Sequence, residues 1–410
     1  MKGYIKHSPT NILDELLGLT IIISALVSYV VVDGRILVQM VTLMALTILA
    51  LKERRAVPAN IIFFCIAWGI FVNVSLVLST PSSIVSSIQA LIYPVAVIMV
   101  FSARSAFYAM MQSRNFIMFL GLILCLNAIF AILAITTESF DFFLYNQRIV
   151  PFVNVYAVKG FFFNVNYFLP TIALLTLMFL MSQIFSGRRV TRMILFIAII
   201  SFLISMLGFS RSAIIGVFFS FGVFLLLMRK QLGWAPFLTL VTISFVFFAL
   251  SPSDVFDVLA FAFRLSEDRG DFFSNREELW DFSINHLRSN LFGFGDAAAI
   301  ENATGISAGY GEAKSVENTY LLQAMIGGYF GVIAYIFVCF SCVSLFLKKS
   351  STNVSVRAIM LSLWMFYFII SIPRVITIGG LGAIPMLVLI LTVASYRANE
   401  LANYRRAGSV

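Results

Sequence analysis

Charge is what this sequence has least of. Only 11% of its 410 residues are Asp, Glu, Lys or Arg, and 60% are hydrophobic, whereas a soluble domain carries about a quarter charged and about half apolar residues. That balance excludes a soluble globular fold and leaves a polytopic membrane protein. Histidine occurs twice and cysteine four times. Cys65, Cys125, Cys339 and Cys342 all fall inside apolar runs, and the one Cys-x-x-Cys pair has no histidine beside it. Neither an extracytoplasmic disulfide framework nor a cysteine-histidine metal centre is indicated. The sequence also lacks internal repeats and low-complexity tracts. It has no Asp-x-Asp motif, which points away from metal-dependent chemistry.

What is present is a series of apolar runs near the ~20 residues that a membrane-crossing helix needs. They predict an all-α bundle of twelve spans, at about 13–32, 35–51, 57–79, 84–102, 116–136, 162–185, 193–209, 212–228, 234–251, 318–347, 356–373 and 381–396. Lys2 and Lys6 precede the first run and no small-residue cleavage site follows it, so it reads as a retained span. With the N-terminus in the cytoplasm, the inner segments hold 18 of the 28 basic residues and only 4 of the 19 acidic ones. Cytoplasmic loops are enriched in Lys and Arg, so this bias sets both termini inside and accounts for the net +9 without nucleic acid. The chain then divides into spans one to nine (1–251, with an outer loop at about 137–161), a large outer loop (252–316), and spans ten to twelve with a cytoplasmic tail (317–410). Asn73, Asn127, Asn164 and Asn166 are expected to bond between helices, and Asp14 and Glu15 lie at the inner edge.

The large loop contains "SNREELWDFSINHLRSNLFGFGD". Ser274 and Glu277 form a capping-box pattern. Trp280, Ile284, Leu287 and Leu291 then recur at four, three and four, which predicts a helix lying on the outer membrane surface with its Trp at headgroup level. Arg276, one turn before Trp280, falls on the membrane-facing side, where a phosphate would suit it. Gly293 and Gly295 supply the left-handed or close-approach backbone of a helix stop and tight turn. The next span opens with "ENTYLLQAMIGGYFG", in which Gly327, Gly328 and Gly331 permit close helix packing. Its Glu317 is a carboxylate at a membrane boundary, where charge is costly and therefore marks function.

An Arg-x-x-x-Trp helix, then "LFGFG", then "ENTYLLQAMIGGYFG" resembles the O-antigen ligase and polymerase family of bacterial envelope enzymes, whose members read R-x-x-x-W, P-L-x-G-x-G and H-N-x-x-L-x-x-x-x-x-x-G-x-x-G. The detailed likeness covers residues 276–331. Asn290 stands where the family often has proline, and Glu317 stands where many ligases have histidine, which tilts the resemblance toward polymerase.

The resemblance implies a cofactor-free, metal-independent glycosyltransferase of the bacterial inner membrane, acting at the periplasmic face on donor and acceptor glycans linked to polyprenyl diphosphate. A chain-length regulator and a flippase would be its partners. Such chemistry needs cations for the leaving diphosphate, for which arginine's planar fork is best suited, and a base beside the acceptor hydroxyl. The candidates for the diphosphate are Arg211, Arg276, Arg148, Arg264 and Arg288. Arg211, in the tight "GFSRSA" turn, could equally snorkel to headgroups. Arg148 and Gly160 are one residue too far apart for the family's R-x(10)-G motif. Lys159, Asn318 and Trp280 are the sugar-contacting candidates, and Glu317 and His286 the catalytic ones. For Glu317 three roles stay open: base, with a pKa raised by desolvation; partner of an arginine; or cap of the helix, worth ~0.3 to 1 kcal/mol.

The rival readings are a ligase that moves the glycan to lipid A core or protein, a twelve-span transporter, and a non-catalytic scaffold. A transporter is disfavoured by the absence of two-half symmetry and by one large loop placed late. A scaffold leaves the outer arginines unexplained. The orientation is tested by cysteine labelling from outside: Glu301→Cys and Asn154→Cys should react and Arg189→Cys and Lys349→Cys should not. Labelling at position 189 would reverse the topology.

Overall fold

The computed structural model describes residues 12–30, 35–79, 84–137, 144–148, 156–158, 162, 165–187, 211–232, 276–295, 318–347, 354–372 and 376–407. Six helices come first: α1 (Ile12–Val27), α2 (Arg35–Glu53), α3 (Ala59–Ser79), α4 (Ile84–Ser102), α5 (Arg104–Gln112) and α6 (Arg114–Thr137). A two-stranded ribbon, β1 (Leu144–Arg148) with β2 (Tyr156–Val158), follows in the first outer loop. Then come α7 (Val165–Phe185), α8 (Arg211–Leu232), α9 (Arg276–Ser289), α10 (Thr319–Leu347), α11 (Val354–Ser371) and α12 (Ala383–Ala407).

All of these helices except α5 and α9 fall on expected spans, and the expected spans at 193–209 and 234–251 lie outside the described residues. Among the described residues, seven helices are long and apolar enough to cross a membrane, or eight if the C-terminal part of α4 from Leu91 and α5, bent by 60°, count as one span. The chain is a helical, multi-pass membrane protein.

The α5 helix is absent from the hydropathy pattern because it is too short to span and presents only one apolar face. Ala103, at φ −90° and ψ 13°, ends α4, and α5 then buries Arg104, Ala106, Phe107, Met110 and Met111. Gly18 of α1 makes room, since a Cβ there would lie 2.5 Å from the Met110 sulfur.

Arg104 is 6% exposed yet fully engaged. Its Nη1 donates to the carbonyls of Ala56 (3.0 Å) and Phe101 (3.1 Å), and its Nε and Nη2 donate to the two oxygens of Glu400 at 3.0 and 2.9 Å. Arg397 donates to the same carboxylate at 2.9 Å. Removing one partner from such a buried pair typically costs about 3 to 5 kcal/mol. Lys52 pairs with Asp14, Ser113 bonds Glu15, and Gln112 reaches the Phe185 carbonyl. The ends of α1, α2, α4, α6, α7 and α12 thus converge on one charged pole.

At the opposite pole the backbone itself is irregular. Residues 376–382 are non-helical and buried, a condition tolerated at membrane depth only where protein supplies the missing hydrogen bonds. Ile376 N–H donates to Thr319 Oγ1 (2.7 Å), Ile378 N–H to the Tyr335 hydroxyl (3.3 Å) and Gly380 N–H to the Thr377 carbonyl (2.9 Å). The Ile376 carbonyl accepts from the Tyr367 hydroxyl, which also bonds Tyr335 at 2.9 Å. Gly379 has φ +79°, and a Cβ there would sit 2.2 Å from the Tyr93 carbonyl. This stretch therefore admits only glycine at that position.

The helix-bridging polar groups differ from those expected. Asn73 and Asn127 donate to carbonyls of their own helices, Gly69 at 2.9 Å and Ile123 at 3.1 Å. Bonds between helices come instead from Ser24 with Thr42, Trp68 with Gln323, Tyr335 with Tyr367 and Tyr320 with Ser371. The side chains of Asn164 and Asn166 lie outside the described residues.

Candidate functional site

The α9 helix forms where its spacing predicts, but its apolar residues divide between two environments. Leu287 is buried in a cluster with Leu322, Ala324 and Met325 of α10, and Ser283 one turn earlier is buried as well. Ile284 and Leu291 remain 39% and 58% exposed. The helix is therefore docked on the outer part of α10 through Ser283 and Leu287, and only its second apolar edge faces outward.

Docking is completed by backbone. Gly328 interrupts α10 at φ 66° and ψ −169°. In a continuous helix the Met325 and Ile326 carbonyls would accept from Tyr329 and Phe330. Here they accept from the N–H groups of Phe294 (2.7 Å) and Gly295 (2.9 Å), while Tyr329 N–H donates to the Leu291 carbonyl (3.1 Å). From the other side Ser75 Oγ of α3 reaches the Phe292 carbonyl. The "LFGFG" turn is thus wedged between α3 and a break in α10. The glycines follow from that closeness. A Cβ on Gly328 would lie 2.3 Å from the Leu291 carbonyl oxygen, on Gly293 2.5 Å from the Gly328 nitrogen, and on Gly295 2.6 Å from Leu76 Cα, and all three have positive φ. Gly327 does permit close packing, with Val72 3.1 Å from its added Cβ, but Gly328 breaks the helix instead of tightening a helix pair.

Asn290 ends α9. Its N–H donates to the carbonyls of His286 and Leu287, and its Nδ2 donates to the Gly293 carbonyl at 2.7 Å. A side-chain hydrogen bond here closes the turn that a proline would stiffen by ring constraint.

The α10 helix is capped by Asn318, whose Oδ1 accepts from Leu321 N–H at 2.9 Å and whose carbonyl accepts from Leu322 N–H at 2.9 Å. Its side-chain oxygen, expected to meet sugar, is engaged with its own helix. The N-cap position of α10 thus belongs to Asn318. Glu317 itself lies outside the described residues, as do Arg264 and Lys159.

Of the remaining candidates, Trp280 and His286 are half-buried on α9, and His286 sits within its last turn instead of beyond the helix. Arg288 is exposed, with Nη1 3.3 Å from Asn285 Oδ1. Arg276 is the first residue of α9 and Arg211 the first of α8; Arg148 ends β1 opposite Tyr156. The structure brings Trp280, His286, Arg288 and Asn318 into one docked unit of α9 and the start of α10. Arg211 belongs to α8, which packs on α11 and α7, and Arg148 to the ribbon. The sequence reading missed Ser75, Trp68 and Gln323, although a glutamine within "LLQAMIGG" was itself a polar signal in an apolar run.

Residues 196–336 match the family model described as O-antigen ligase. This segment is similar to the O-antigen ligase family. The match contains α8, α9, the docked turn and α10 as far as Ile336, and with it all three glycines of the contact. No curated protein and no solved structure matches the chain. The match supports a role in glycan processing of the O-antigen ligase or polymerase kind.

The docked contact predicts a graded glycine series. Gly328→Ala should lower stability by about 3 kcal/mol, roughly three backbone hydrogen bonds at ~1 kcal/mol each, and expose α9 to protease. Gly187→Ala, at φ +66° but with nothing within 4 Å, should cost only the ~1 to 2 kcal/mol of a left-handed residue. Thermal unfolding in detergent with limited proteolysis measures both; equal losses would show that no tight contact exists at Gly328.

Proposed function

We propose that this protein polymerises oligosaccharide repeat units carried on polyprenyl diphosphate, at the periplasmic face of the bacterial inner membrane, with both termini in the cytoplasm. The observation that carries the reading is the docking of α9 on the start of α10. It puts the helix that carries Arg276, His286 and Arg288 against the start of α10, which Asn318 caps, within the segment that matches the O-antigen ligase family.

In the reaction an acceptor hydroxyl attacks the anomeric carbon of the donor glycan. The new glycosidic C–O bond forms as the bond from that carbon to the diphosphate oxygen breaks, and the diphosphate leaves with the electron pair. Arginine forks hold the developing charge; Arg276 and Arg211 are the first choices, with Arg148, Arg264 and Arg288 behind them. The hydroxyl proton passes to a base. Glu317, the residue before the Asn318 cap, serves there as base or as partner to an arginine. His286 is the second candidate. Lys159 and Trp280 would contact sugar. Charge stabilisation by arginine alone makes a metal unnecessary.

A ligase that moves finished glycan to lipid A core or protein is the second reading, favoured by the description of the family domain. Glu317 at the family's histidine position favours polymerase.

Glycan ladders from a deletion strain separate the two. Single repeat units on the lipid core mean a lost polymerase; lipid-linked polymer with bare core means a lost ligase and would overturn the proposal. In the complemented strain, Glu317→Gln should lower turnover by ~10² to 10⁴ with binding retained. Glu317→His, with a pKa near 6.5, should keep measurable polymerisation with a shifted pH profile. Wild-type ladders from Glu317→Gln would move the base to His286 or to the acceptor.

A further inference from the structure

The break at Gly328 divides α10 into an outer piece, 319–327, and an inner piece, 329–347. Helix continuity no longer fixes the outer piece, so its position depends on lateral attachments. One side chain makes two of them. Gln323 is 1% exposed; its Oε1 accepts from the indole N–H of Trp68 in α3 at 3.1 Å, and its Nε2 donates to Thr377 Oγ1 in the irregular 376–382 stretch at 3.0 Å. We propose that Gln323 is a positioning residue that sets the outer piece of α10, and with it the Asn318 cap and the docked α9, against the rest of the bundle.

The argument is one of geometry and chemistry. An amide offers an acceptor at one oxygen and donors at one nitrogen, which suits a strut with an indole N–H at one end and a hydroxyl oxygen at the other. No apolar side chain of the same length makes either bond. The outer piece also carries the two carbonyls, of Met325 and Ile326, on which the turn after α9 hangs, so a displacement of this piece would move α9 with it. Thr319 Oγ1 and Tyr320 attach the same piece to Ile376 and Ser371, and these bonds preserve the fold when the strut is cut. Loss of Gln323 therefore misplaces the site without dismantling it. Misplacement by about 1 Å can lower a rate ~10²-fold. This inference rests on the glycan-transfer reading for its effect on rate, but its structural half does not.

The experiment compares wild type, Gln323→Met, Thr377→Val and Gln323→Glu, reconstituted in proteoliposomes with lipid-linked repeat units. Gln323→Met and Thr377→Val should lower kcat by roughly ten- to a hundred-fold and leave KM for the lipid-linked substrate unchanged. Gln323→Glu reports on the strut by pH. When protonated, its carbonyl oxygen accepts from Trp68 and its O–H donates to Thr377, reproducing both bonds; when ionised, it places a charge in a buried site. Its activity should approach wild type at acid pH and fall as pH rises, more steeply than that of wild type, whereas a residue that only fills space would give no such shift.

Amide exchange of the 319–326 peptide is the readout that does not depend on activity: it should quicken in Gln323→Met while 329–347 stays protected. Unchanged exchange, or unchanged kcat in both Gln323→Met and Thr377→Val, overturns the inference. Should wild type transfer glycan to lipid A core instead of polymerising, the proposed function fails, and the same kcat and exchange comparisons then judge Gln323 on the transfer reaction.

Discussion

Three backbone hydrogen bonds join the turn at 291–295 to the interruption of α10 at Gly328, and the outer architecture depends on them. A helix broken inside a membrane protein leaves carbonyls that must find donors, since an unpaired backbone group in an apolar setting costs several kcal/mol. Here the donors come from a turn some thirty residues earlier in the chain. The loop between them is consequently closed at its base, α9 is seated on α10, and the corner at Asn318 is brought beside it. Glycine is required on both sides of this contact because a Cβ on either would occupy the space of the opposing backbone. The glycines that mark the family signature are thus explained by assembly, without assigning them any chemistry.

The two poles of the bundle solve the problem of polar groups in opposite ways. At one pole, full charges are brought together: Arg104 is buried against Glu400, with two carbonyls completing its donors and Arg397 on the same carboxylate. Such a pair is costly to break and adds rigidity. At the other pole neutral groups are used: Thr319, Gln323, Tyr335 and Tyr367 satisfy the irregular stretch at 376–380. Fixed neutral dipoles leave the electrostatic field of that pole to be set by the ionised residues of α9.

Much of this was legible in the sequence, and what was not has physical causes. Span positions followed from hydropathy because a bilayer imposes a length on any apolar helix. The α9 helix followed from the four-three-four spacing of Trp280, Ile284, Leu287 and Leu291, and the turn from Gly293 and Gly295. The role of Gly328 was not legible, because a glycine that packs helices and a glycine that breaks one look the same in "IGGYFG"; the distinction lies in the residues docked against it. The short α5 escaped because nine residues with one apolar face produce no span signal. The cap formed by Asn318 was not singled out, since an asparagine before a helix suits a cap and a sugar contact equally well on paper. Gln323 was passed over in favour of the asparagines, although its longer side chain is the one able to reach two neighbours.

The central claim is that α9 is seated on the outer part of α10 by its Ser283 and Leu287 edge. Cross-linking in intact membranes tests it most directly, with Leu322→Cys on α10 paired with either Leu287→Cys or Ile284→Cys on α9. The account predicts an efficient cross-link from position 287 and none from position 284, which is on the exposed edge. A cross-link from position 284 with none from position 287, or from neither, would contradict it.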